Sequence, residues 1–470
     1  MLRKESIPFT IVDDELSCID NNLVAGMLRV LPEVPIVAIS AMTTNYRRAI
    51  EIASLFKTRR PDCIVVFGGI HPTVLPEDTL RSGVVDYVAI GEADRTFPQL
   101  VRAIRSGAKP DTVPGIAFLD NGVFLKTASV ETDGVEDLPA FPYDLFDNHR
   151  YDLGFILTSR GCPHGCTFCS QRAVSRRRYR AIPVPQVLDE LEYLIRERGQ
   201  RVITFFDDYF TADRKRVDAI CRGIRERGLH RDCEFFAQTR GDSVDEELLR
   251  LLKDSGFTSL MFGFESSSEK VMKAVAKGET VEDNRRAALL AKKHGFETEA
   301  TFIFGLPEET FEDRVGAVHL AWDAALDRAR FNNATPYPGT VLHDWVAAKG
   351  RLQVKPYWDN FSSTAALISK IGDGQGVPWV PEGMTGEELV GQVLLANMLF
   401  YIRPGRMKRL FNSSEKASAK WFLFRHRDWL NPLRLWSLVR LCTSLGLRTL
   451  YYLAFAPNTI PFLWRVLVRR

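Results

Sequence analysis

The first 140 residues alternate short apolar runs with helical segments. Apolar, β-branched runs lie at residues 36–40, 63–67 and 85–90, and residues 49–56 have a helical pattern. Continuous apolar strands separated by helices are typical of a parallel sheet that is covered on both faces. The pattern therefore predicts an α/β domain over residues 1–140, with a doubly wound parallel sheet. Prolines between residues 110 and 142 predict a linker after it.

The same alternation continues over residues 150–345, with more strands. Strand candidates lie at residues 154–158, 202–206, 233–238, 259–264, 299–304 and 330–335, with helical segments between them. Capping-box patterns predict helix starts at Ser243, Thr280 and Thr310, each with an acidic residue three positions later. Six strand-then-helix units predict a partial (βα)6 barrel of the TIM type, with its chemistry at the C-terminal ends of the strands.

Residues 380–470 form a third region, which is helical in pattern, apolar and basic. The chain of 470 residues has a net charge of only +3, but residues 401–470 contain 14 Lys and Arg against 2 Asp and Glu. Such an excess of positive charge indicates an anionic partner surface. Because Trp429, Trp436, Tyr451, Tyr452 and Trp464 accompany the arginines, we expect interfacial anchoring on anionic lipid.

Two alternatives to lipid anchoring are open for this basic region. It is either a helical cap that packs on the core with a solvated basic face, or a nucleic-acid-binding segment. No nucleic-acid-binding fold is recognisable, so no nucleic acid is expected as a partner.

Composition favours a folded protein of the cytoplasm. Hydrophobic residues make up 45% of the chain and charged residues 26%, which is a globular composition. Eight cysteines are too few for a disulfide scaffold. No signal peptide is visible, and no uncharged apolar run reaches the roughly 20 residues of a spanning helix. We therefore expect a cytoplasmic protein with reduced thiols, peripheral at the inner face of the membrane if the basic region binds lipid.

Three of the cysteines are clustered directly after the first predicted strand of the barrel. Cys162, Cys166 and Cys169 have the spacing Cys-x3-Cys-x2-Cys within residues 159–169. Three thiolates can hold three irons of a [4Fe–4S] cluster; because full ligation takes four, one iron stays open to a small molecule. The alternative is a zinc site with His164 as fourth ligand, although structural zinc sites usually show separate Cys-x2-Cys pairs.

This spacing, with Phe168 just before the last cysteine, resembles the radical S-adenosylmethionine (SAM) superfamily. The resemblance covers most of residues 150–345. It implies that SAM binds the open iron through its amino and carboxylate groups. It also implies reductive cleavage of SAM to methionine and a 5′-deoxyadenosyl radical, with an electron donor such as flavodoxin or ferredoxin.

The resemblance also implies which strand ends hold SAM. Residues 203–210 end the second strand, 263–266 resemble the Gly-x-Glu-Ser of the family, and 302–310 resemble the fifth-strand motif that backs the adenine. The family usually has Gly where Glu308 stands, a departure that is expected not to disable the site even where it alters the turn. The implied SAM-binding residues are Asp207, Asp208, Arg240, Glu265, Ser266 and Gly305.

Several of these residues have a purely structural alternative. For the two aspartates, the alternative is that one of them caps the next helix. For Arg240, the alternative is an ion pair with a structural acid. Lys277, in the family-like stretch 277–280, is expected to be structural.

Residues 66–73 and 89–94 resemble the flavodoxin-like, Rossmann-like domain that precedes the radical module in cobalamin-binding relatives. The resemblance thus implies cobalamin as a cofactor, and Gly68 and Gly69 would let the backbone approach a bulky ligand. The implied contacts are Ser40, Thr43, Gly68, Gly69 and His71. No Asp-x-His-x-x-Gly motif is present, so a lower-ligand histidine of that type is missing. A polar loop residue is the alternative for His71.

The start of the chain departs from these relatives. Residues 9–12 resemble their second strand, so the first βα unit is expected to be missing through a late start codon, truncation or loss. The alternative for the whole domain is therefore a degenerate scaffold that binds no cofactor.

Together these features predict a cobalamin-dependent type of radical SAM enzyme, which abstracts hydrogen from an unactivated carbon. The expected outcome is C-methylation, cyclisation or rearrangement of a hydrophobic lipid, tetrapyrrole or natural product. The alternatives are a cobalamin-independent radical SAM enzyme and a non-enzymatic zinc-binding scaffold. A methylthiolating enzyme would need a second cysteine cluster, which Cys18 and Cys63 do not provide.

Overall fold

A computed structural model describes residues 1–30, 35–129, 134–365, 376–402 and 432–468. For most of residues 432–444 it describes the backbone alone. Trp429 and the side chain of Trp436, which we expected at a lipid surface, therefore lie outside the described residues.

The N-terminal domain contains a five-stranded sheet in the order β1-β2-β3-β4-β5. Strands β1 to β3 are parallel, with Val37 opposite Val65, and helices separate them along the chain. The α/β class is thus confirmed. The elements are α1 Asp14–Ser17, α2 Asn21–Leu28, β1 Ile36–Ser40, α3 Tyr46–Arg59, β2 Ile64–Gly68, α4 Ile70–Val74, α5 Pro76–Leu80, β3 Tyr87–Ala89, α6 Thr96–Ser106, β4 Ile116–Asp120 and β5 Val123–Lys126.

Two expectations for this domain are wrong. The segment predicted as linker contains the antiparallel hairpin β4–β5, so the sheet is only partly parallel. Its turn is Asn121-Gly122, with φ of 48° and 82°, the sequence that a type I′ hairpin favours and that the prolines around it obscured. Residues 9–12 form no strand, because this segment lies outside the sheet.

The second sheet is the predicted partial barrel, with six parallel strands in the order β13-β12-β11-β10-β9-β6. Along each strand, every second side chain points to the face that the helices cover. Phe235, Phe262, Phe302 and Phe331 are fully buried there, in one core with side chains of the helices. The elements are β6 Phe155–Ile156, β7 Ser159–Arg160, α7 Gln171–Ser175, β8 Arg180–Ala181, α8 Val184–Glu192, β9 Val202–Phe205, α9 Arg214–Glu226, β10 Glu234–Thr239, α10 Glu246–Asp254, β11 Phe257–Glu265, α11 Glu269–Ala274, α12 Val281–Lys293, β12 Glu297–Phe304, α13 Phe311–Asp323, β13 Arg328–Asn333 and α14 Val341–Ala348.

Two of the three predicted capping boxes are confirmed. The Thr280 and Thr310 hydroxyls accept the N–H groups of the third residue of α12 and α13. The box at Ser243 is wrong, because Asp245 caps α10 and accepts the Leu248 N–H at 2.7 Å. An aspartate directly before the helix competes better for the free amides than a serine two positions further away.

The C-terminal region packs on the barrel through α15 Gly386–Tyr401, α16 Pro432–Phe455 and α17 Thr459–Val468. Asn397 and Tyr401 of α15 bond the free backbone groups of the edge strand β13. Phe462 and Val466 of α17 are buried against the barrel core. The described part of this region therefore forms a helical cap. None of its described helices is both long and apolar enough to cross a membrane.

Candidate active site

The three clustered cysteines lie on the loop between β7 and α7. Their thiols are free and partly exposed. The loop starts at Gly161, which has φ +80° and approaches the Arg178 carbonyl so closely that a Cβ would lie 2.2 Å from it. Only glycine fits such a position. Further along, Thr167 donates to the Val275 carbonyl and accepts from the Leu342 N–H, both at 2.9 Å, which ties the loop to the barrel.

Burial and nearby charges act on the pKa of the three thiols in opposite directions. Burial raises the pKa of all three thiols, and that of Cys169 reaches about 11. Lys277 and Arg240 act in the opposite direction on the pKa of Cys162 and Cys166. Partly exposed thiols beside two cations fit an iron–sulfur cluster, in which each sulfur binds a different iron.

The zinc alternative needs Cys162, Cys166, Cys169 and His164 to converge on one ion. Within the described parts of the chain, no three His, Cys, Asp or Glu side chains are grouped in that way. The His164 ring instead lies 5.3 Å from the Tyr209 ring. His164, the fourth ligand of the zinc alternative, thus contacts an aromatic ring in this structure.

Asp207 and Asp208 hold the start of the cluster loop. Asp207 is fully buried and accepts hydrogen bonds from the Thr158 hydroxyl at 2.9 Å and from the Ser159 hydroxyl. Asp208 accepts from the Gly161 N–H at 3.1 Å and from Gln171 Nε2 at 2.5 Å.

The alternative that one of these aspartates caps the next helix is wrong, because Asp213 caps α9. Contact with SAM stays a prediction for both aspartates, and the contacts that they make position the cysteine loop.

A buried charge network lies next to the cluster loop. Lys277 Nζ is 2.9 Å from Glu265 Oε1 and 3.5 Å from Glu279 Oε1. Arg240 pairs with Asp242 at 2.8 Å and lies 3.7 Å from Glu279, so it meets structural acids. Burial lowers the pKa of Lys277, but the two glutamates outweigh burial and raise that pKa above its ordinary value. Lys277 is therefore held charged.

Glu265 stands in an unusual backbone position at the end of β11. Its φ is +60°, and the register with β12 shifts between Gly263 and Glu265. A Cβ on Gly263 would lie 2.4 Å from Glu265 Oε1 and 2.7 Å from Lys277 Nζ, so glycine makes room for the ion pair. Strained backbone held by its surroundings is common at functional sites.

The last two implied SAM residues end β11 and β12. Ser266 is buried, and its hydroxyl accepts the Ser268 N–H at 3.2 Å. Gly305 has φ +89°, donates to Glu309 Oε2 at 2.5 Å and accepts from Trp379 Nε1 at 2.8 Å. Glu308 adopts φ +68°, which explains why relatives have glycine there. The chain thus places a glutamate in a backbone conformation that favours glycine.

The five implied cobalamin residues, Ser40, Thr43, Gly68, Gly69 and His71, lie at or just after the C-terminal ends of β1 and β2. We call this edge of the sheet the Gly68 edge. A Cβ atom built on Gly68 would meet no other atom within 4 Å, so the space beside this residue is open. A Cβ atom built on Gly69 would lie 2.6 Å from the Ala41 carbonyl oxygen. Ser40 is exposed and Thr43 is buried. An open cradle beside small and hydroxyl-bearing side chains fits a large planar ligand.

His71 is buried within α4, so the alternative of a polar loop residue is wrong. Its Nδ1 lies 3.1 Å from the Thr43 hydroxyl, and its ring is 4.0 Å from the Tyr46 ring. Nε2 has no hydrogen-bond partner among the described residues. Burial lowers the pKa of His71 to about 4, so the imidazole is neutral near pH 7.

Sequence reasoning missed Trp358, which follows the barrel. Tyr357 and Trp358 have φ of 57° and 62°, and the Trp358 ring lies 5.5 Å from the His71 ring. The neighbouring Asp359 accepts from Arg47 Nε at 2.7 Å, which fastens this segment to α3. No local sequence pattern signals such a contact across 287 positions.

Two helices meet at the boundary between the two domains. Helix α4, which follows β2, contacts α7, which follows the cysteine loop. A Cβ on Gly339, in the loop after β13, would lie 2.6 Å from Val74 of α4. The helix after the Gly68 edge and the helix after the cysteine loop thus lie against each other at the domain boundary.

Comparisons with known proteins agree with this arrangement. Residues 156–321 match the family model described as the radical SAM superfamily, and residues 11–101 match the B12 binding domain. The expected cofactors, a [4Fe–4S] cluster, SAM and cobalamin, are those of these two families.

Among relatives, a Pyrococcus horikoshii protein called an uncharacterized methyltransferase is 32% identical over 78% of this chain and 79% of its own length. The anaerobic magnesium-protoporphyrin IX monomethyl ester cyclase of Cereibacter sphaeroides is 30% identical over 90% of this chain and 67% of its own. Among solved structures, the radical SAM methyltransferase TsrM from Kitasatospora setae, with cobalamin and a [4Fe–4S] cluster bound, matches with a TM-score of 0.70. The identity is 17%, with 87% of each chain covered, so this match supports the fold.

Proposed function

The chain belongs to the radical SAM superfamily and carries a B12 binding domain, and from this premise we propose that it methylates an unactivated carbon of a hydrophobic small molecule. One observation supports the proposal: α4, which follows the Gly68 edge, contacts α7, which follows the cysteine loop. In this proposal, both cofactors act on one substrate carbon between the two domains. Cyclisation is the second candidate, favoured by the cyclase relative that matches 90% of this chain.

When bound, the cluster with SAM supplies the hydrogen-abstracting radical and cobalamin supplies a transferable methyl group. In this proposal, Cys162, Cys166 and Cys169 hold the cluster. Glu265, fixed by Lys277, presents its carboxylate to the polar groups of SAM together with Ser266, and the Gly305 turn lies beside the adenine. Fixed charges at a water-poor site cost little reorganisation when the substrate reacts.

In the N-terminal domain, Gly68 admits the corrinoid close to the backbone, with Ser40, Thr43 and Gly69 around it. His71 contributes Nε2, which lacks a partner among the described residues and is neutral. Tyr46 and Trp358 hold the imidazole from two sides. A bound ligand that pairs with Nε2 removes the cost of a buried polar atom without a hydrogen bond.

A hydrophobic substrate is supported by three apolar side chains exposed at these strand ends. Phe206 follows β9 and is 64% exposed, Leu157 follows β6 and is 45% exposed, and Met42 follows β1 and is 56% exposed. Large apolar side chains exposed at strand ends are candidates for a binding surface. We propose that they line the substrate space.

The test is anaerobic purification, iron–sulfur reconstitution and addition of hydroxocobalamin, followed by iron and cobalt analysis. We expect about four irons per chain, lost in the Cys162→Ala/Cys166→Ala/Cys169→Ala variant, and retained cobalt.

The products of the reaction distinguish the two candidate functions. The assay contains SAM, reduced flavodoxin or ferredoxin, and candidate lipid or tetrapyrrole substrates. Formation of S-adenosylhomocysteine together with 5′-deoxyadenosine indicates methylation. 5′-Deoxyadenosine alone indicates cyclisation or rearrangement. Iron without cobalt refutes the cobalamin part, and absence of iron refutes the whole proposal.

We also propose that the C-terminal helices contact an anionic lipid surface. Helix α17 buries Phe462 and Val466 against the barrel but leaves Ile460, Trp464 and Leu467 on an exposed apolar face. The chain from residue 401 onward carries a large excess of Lys and Arg. An exposed apolar face in a segment with an excess of positive charge is typical of helices that lie in a membrane interface.

Sedimentation with vesicles tests this contact. We expect binding to vesicles that contain phosphatidylglycerol and weak binding to pure phosphatidylcholine. The Ile460→Ser/Trp464→Ser variant should lose binding, whereas Tyr451→Ser, outside this face, should keep it. Equal binding by both variants would contradict the proposal.

A further inference from the structure

Four charged side chains join the two domains at the base of the cysteine loop. Arg180 donates to both carboxylate oxygens of Glu92, each at 2.7 Å. Arg160 donates to Asp94 at 2.5 Å and 3.3 Å, and to Glu92 at 3.4 Å. Both arginines thus use the bidentate geometry that makes Arg–carboxylate pairs strong and directional. We name these residues the interdomain clamp.

Each half of the clamp is itself rigid. Arg160 and Arg180 lie opposite each other in the two-stranded ribbon β7–β8, so their guanidinium groups are presented side by side. Glu92 and Asp94 follow β3, just beyond Gly91 in a left-handed turn at φ +76°. The two arginines therefore meet two carboxylates at a fixed spacing, and the charges cancel.

The clamp lies between the two proposed cofactor sites. One residue, Gly161, separates Arg160 from Cys162, the first cysteine of the loop. On the other side, β3 is the neighbour of β2, whose end carries the Gly68 edge. The clamp is thus a short connection between the backbone that holds the cluster and the sheet edge proposed for cobalamin.

The side chains of the clamp are partly shielded from solvent, which strengthens the ion pairs between them. The side chains of Arg180 and Glu92 are 10% and 15% exposed, whereas exposed pairs such as Arg81–Glu77 are about half exposed on both sides. Shielded, bidentate pairs are screened less by salt and hold one geometry. A surface pair would not hold two domains in register.

We propose that the interdomain clamp sets the separation and orientation of the cluster and cobalamin, and that Arg160, Arg180, Glu92 and Asp94 are positioning residues. The inference rests on the proposed function, because it assumes that cobalamin occupies the Gly68 edge. Its central claim about domain registry also holds for the cofactor-free protein, so the two can be tested separately.

The first experiment is hydrogen–deuterium exchange on the cofactor-free full chain. We expect the Glu92→Gln/Asp94→Asn variant to exchange faster in residues 155–182 and 89–96, with the rest of the barrel unchanged. Glu77→Gln, which breaks an exposed pair in the same domain, is the matched control and should change neither segment. The single variant Asp94→Glu keeps the negative charge and should therefore retain most of the protection from exchange that the parent protein shows. Unchanged exchange in the clamp variant would overturn the proposal.

The second experiment measures the distance between the cofactors. In the loaded protein, paramagnetic relaxation of Co(II) cobalamin by the reduced cluster depends steeply on their separation. We expect the clamp variant to retain the iron and cobalt of the parent but to show weaker or heterogeneous relaxation. We also expect at least about a tenfold loss of methylated product per SAM cleaved, since small misplacement of reacting groups is costly. Normal relaxation in a fully loaded variant would refute the positioning role.

The two proposals fail in different ways. If the parent protein retains no cobalt, the proposed function fails, and the exchange experiment still decides whether the clamp holds the domains. If the parent retains cobalt and the clamp variant behaves as the parent does in both measurements, the clamp is incidental.

Discussion

Replacing Lys277 by Met should show how strongly the charge network beside the cluster loop depends on one cation. Lys277 is buried between Glu265 and Glu279, at 2.9 Å and 3.5 Å. Methionine has a similar length but no charge. The variant therefore leaves Glu265 buried without a counter-ion, while Glu279 still faces Arg240 at 3.7 Å.

The cost follows from the burial of the pair. Breaking a buried ion pair by removing one partner typically costs about 3–5 kcal/mol, because an uncompensated charge stays in the interior. For a domain of the size of the barrel, each kcal/mol shifts the unfolding temperature by about 2–4 °C. We therefore expect Lys277→Met to lower the unfolding temperature by about 10 °C. The double variant Lys277→Met/Glu265→Gln removes both partners and should lose clearly less.

The assay is differential scanning calorimetry of the cofactor-free protein, so that loss of cluster binding does not contribute. Lys270→Met is the matched control, because Lys270 pairs with Glu308 at 2.7 Å on the open surface. That variant should unfold close to the parent temperature. A Lys277→Met variant as stable as the parent, or a double variant as unstable as the single one, would refute the reasoning.

Three further predictions concern the backbone and one buried histidine. Gly161→Ala should prevent cluster reconstitution, because its Cβ would lie 2.2 Å from the Arg178 carbonyl; Gly165→Ala, whose nearest neighbour would be 3.5 Å away, should retain iron. Glu308→Gly should raise the unfolding temperature by about 2 °C, since glycine adopts the φ of +68° without strain; a lower temperature would contradict this. His71 has a folded-state pKa of about 4, below the 6.5 of the unfolded chain, so the unfolded state binds the proton first. The stability of the cofactor-free protein should therefore fall by about 3 kcal/mol as the pH drops from 6.5 to 4, relative to His71→Asn in urea titrations. Parallel pH profiles of the two proteins would rule out this assignment.

Much of the architecture follows from local patterns. Apolar runs predicted β1 to β3 and all six strands of the barrel, because alternate or continuous burial leaves its trace in each strand. The helix starts at Thr280 and Thr310 were predictable since a capping box needs only four neighbouring residues. The hairpin at Asn121-Gly122 also had a local signal, which the prolines around it obscured.

The candidate site was predictable where its residues share one loop or one strand end. The cysteine spacing alone predicted the cluster loop, and family-like motifs predicted SAM contacts for Glu265 and Gly305, which stay predictions. The same motifs suggested cofactor contacts for Asp207 and Asp208, whose bonds in the structure go to the cysteine loop. A strand-end carboxylate has the same sequence signature whether it faces a ligand or a neighbouring loop, so the pattern does not separate the two.

By itself, the sequence determined the cysteine spacing and the strand-then-helix order, since each depends on neighbouring residues. Only the tertiary structure decided that α4 and α7 meet at the domain boundary. It alone paired Lys277 with Glu265, Trp358 with His71, and Arg160 with Asp94. The reason is physical: a residue's spacing along the chain constrains its local conformation, whereas a contact between distant residues depends on how whole elements pack.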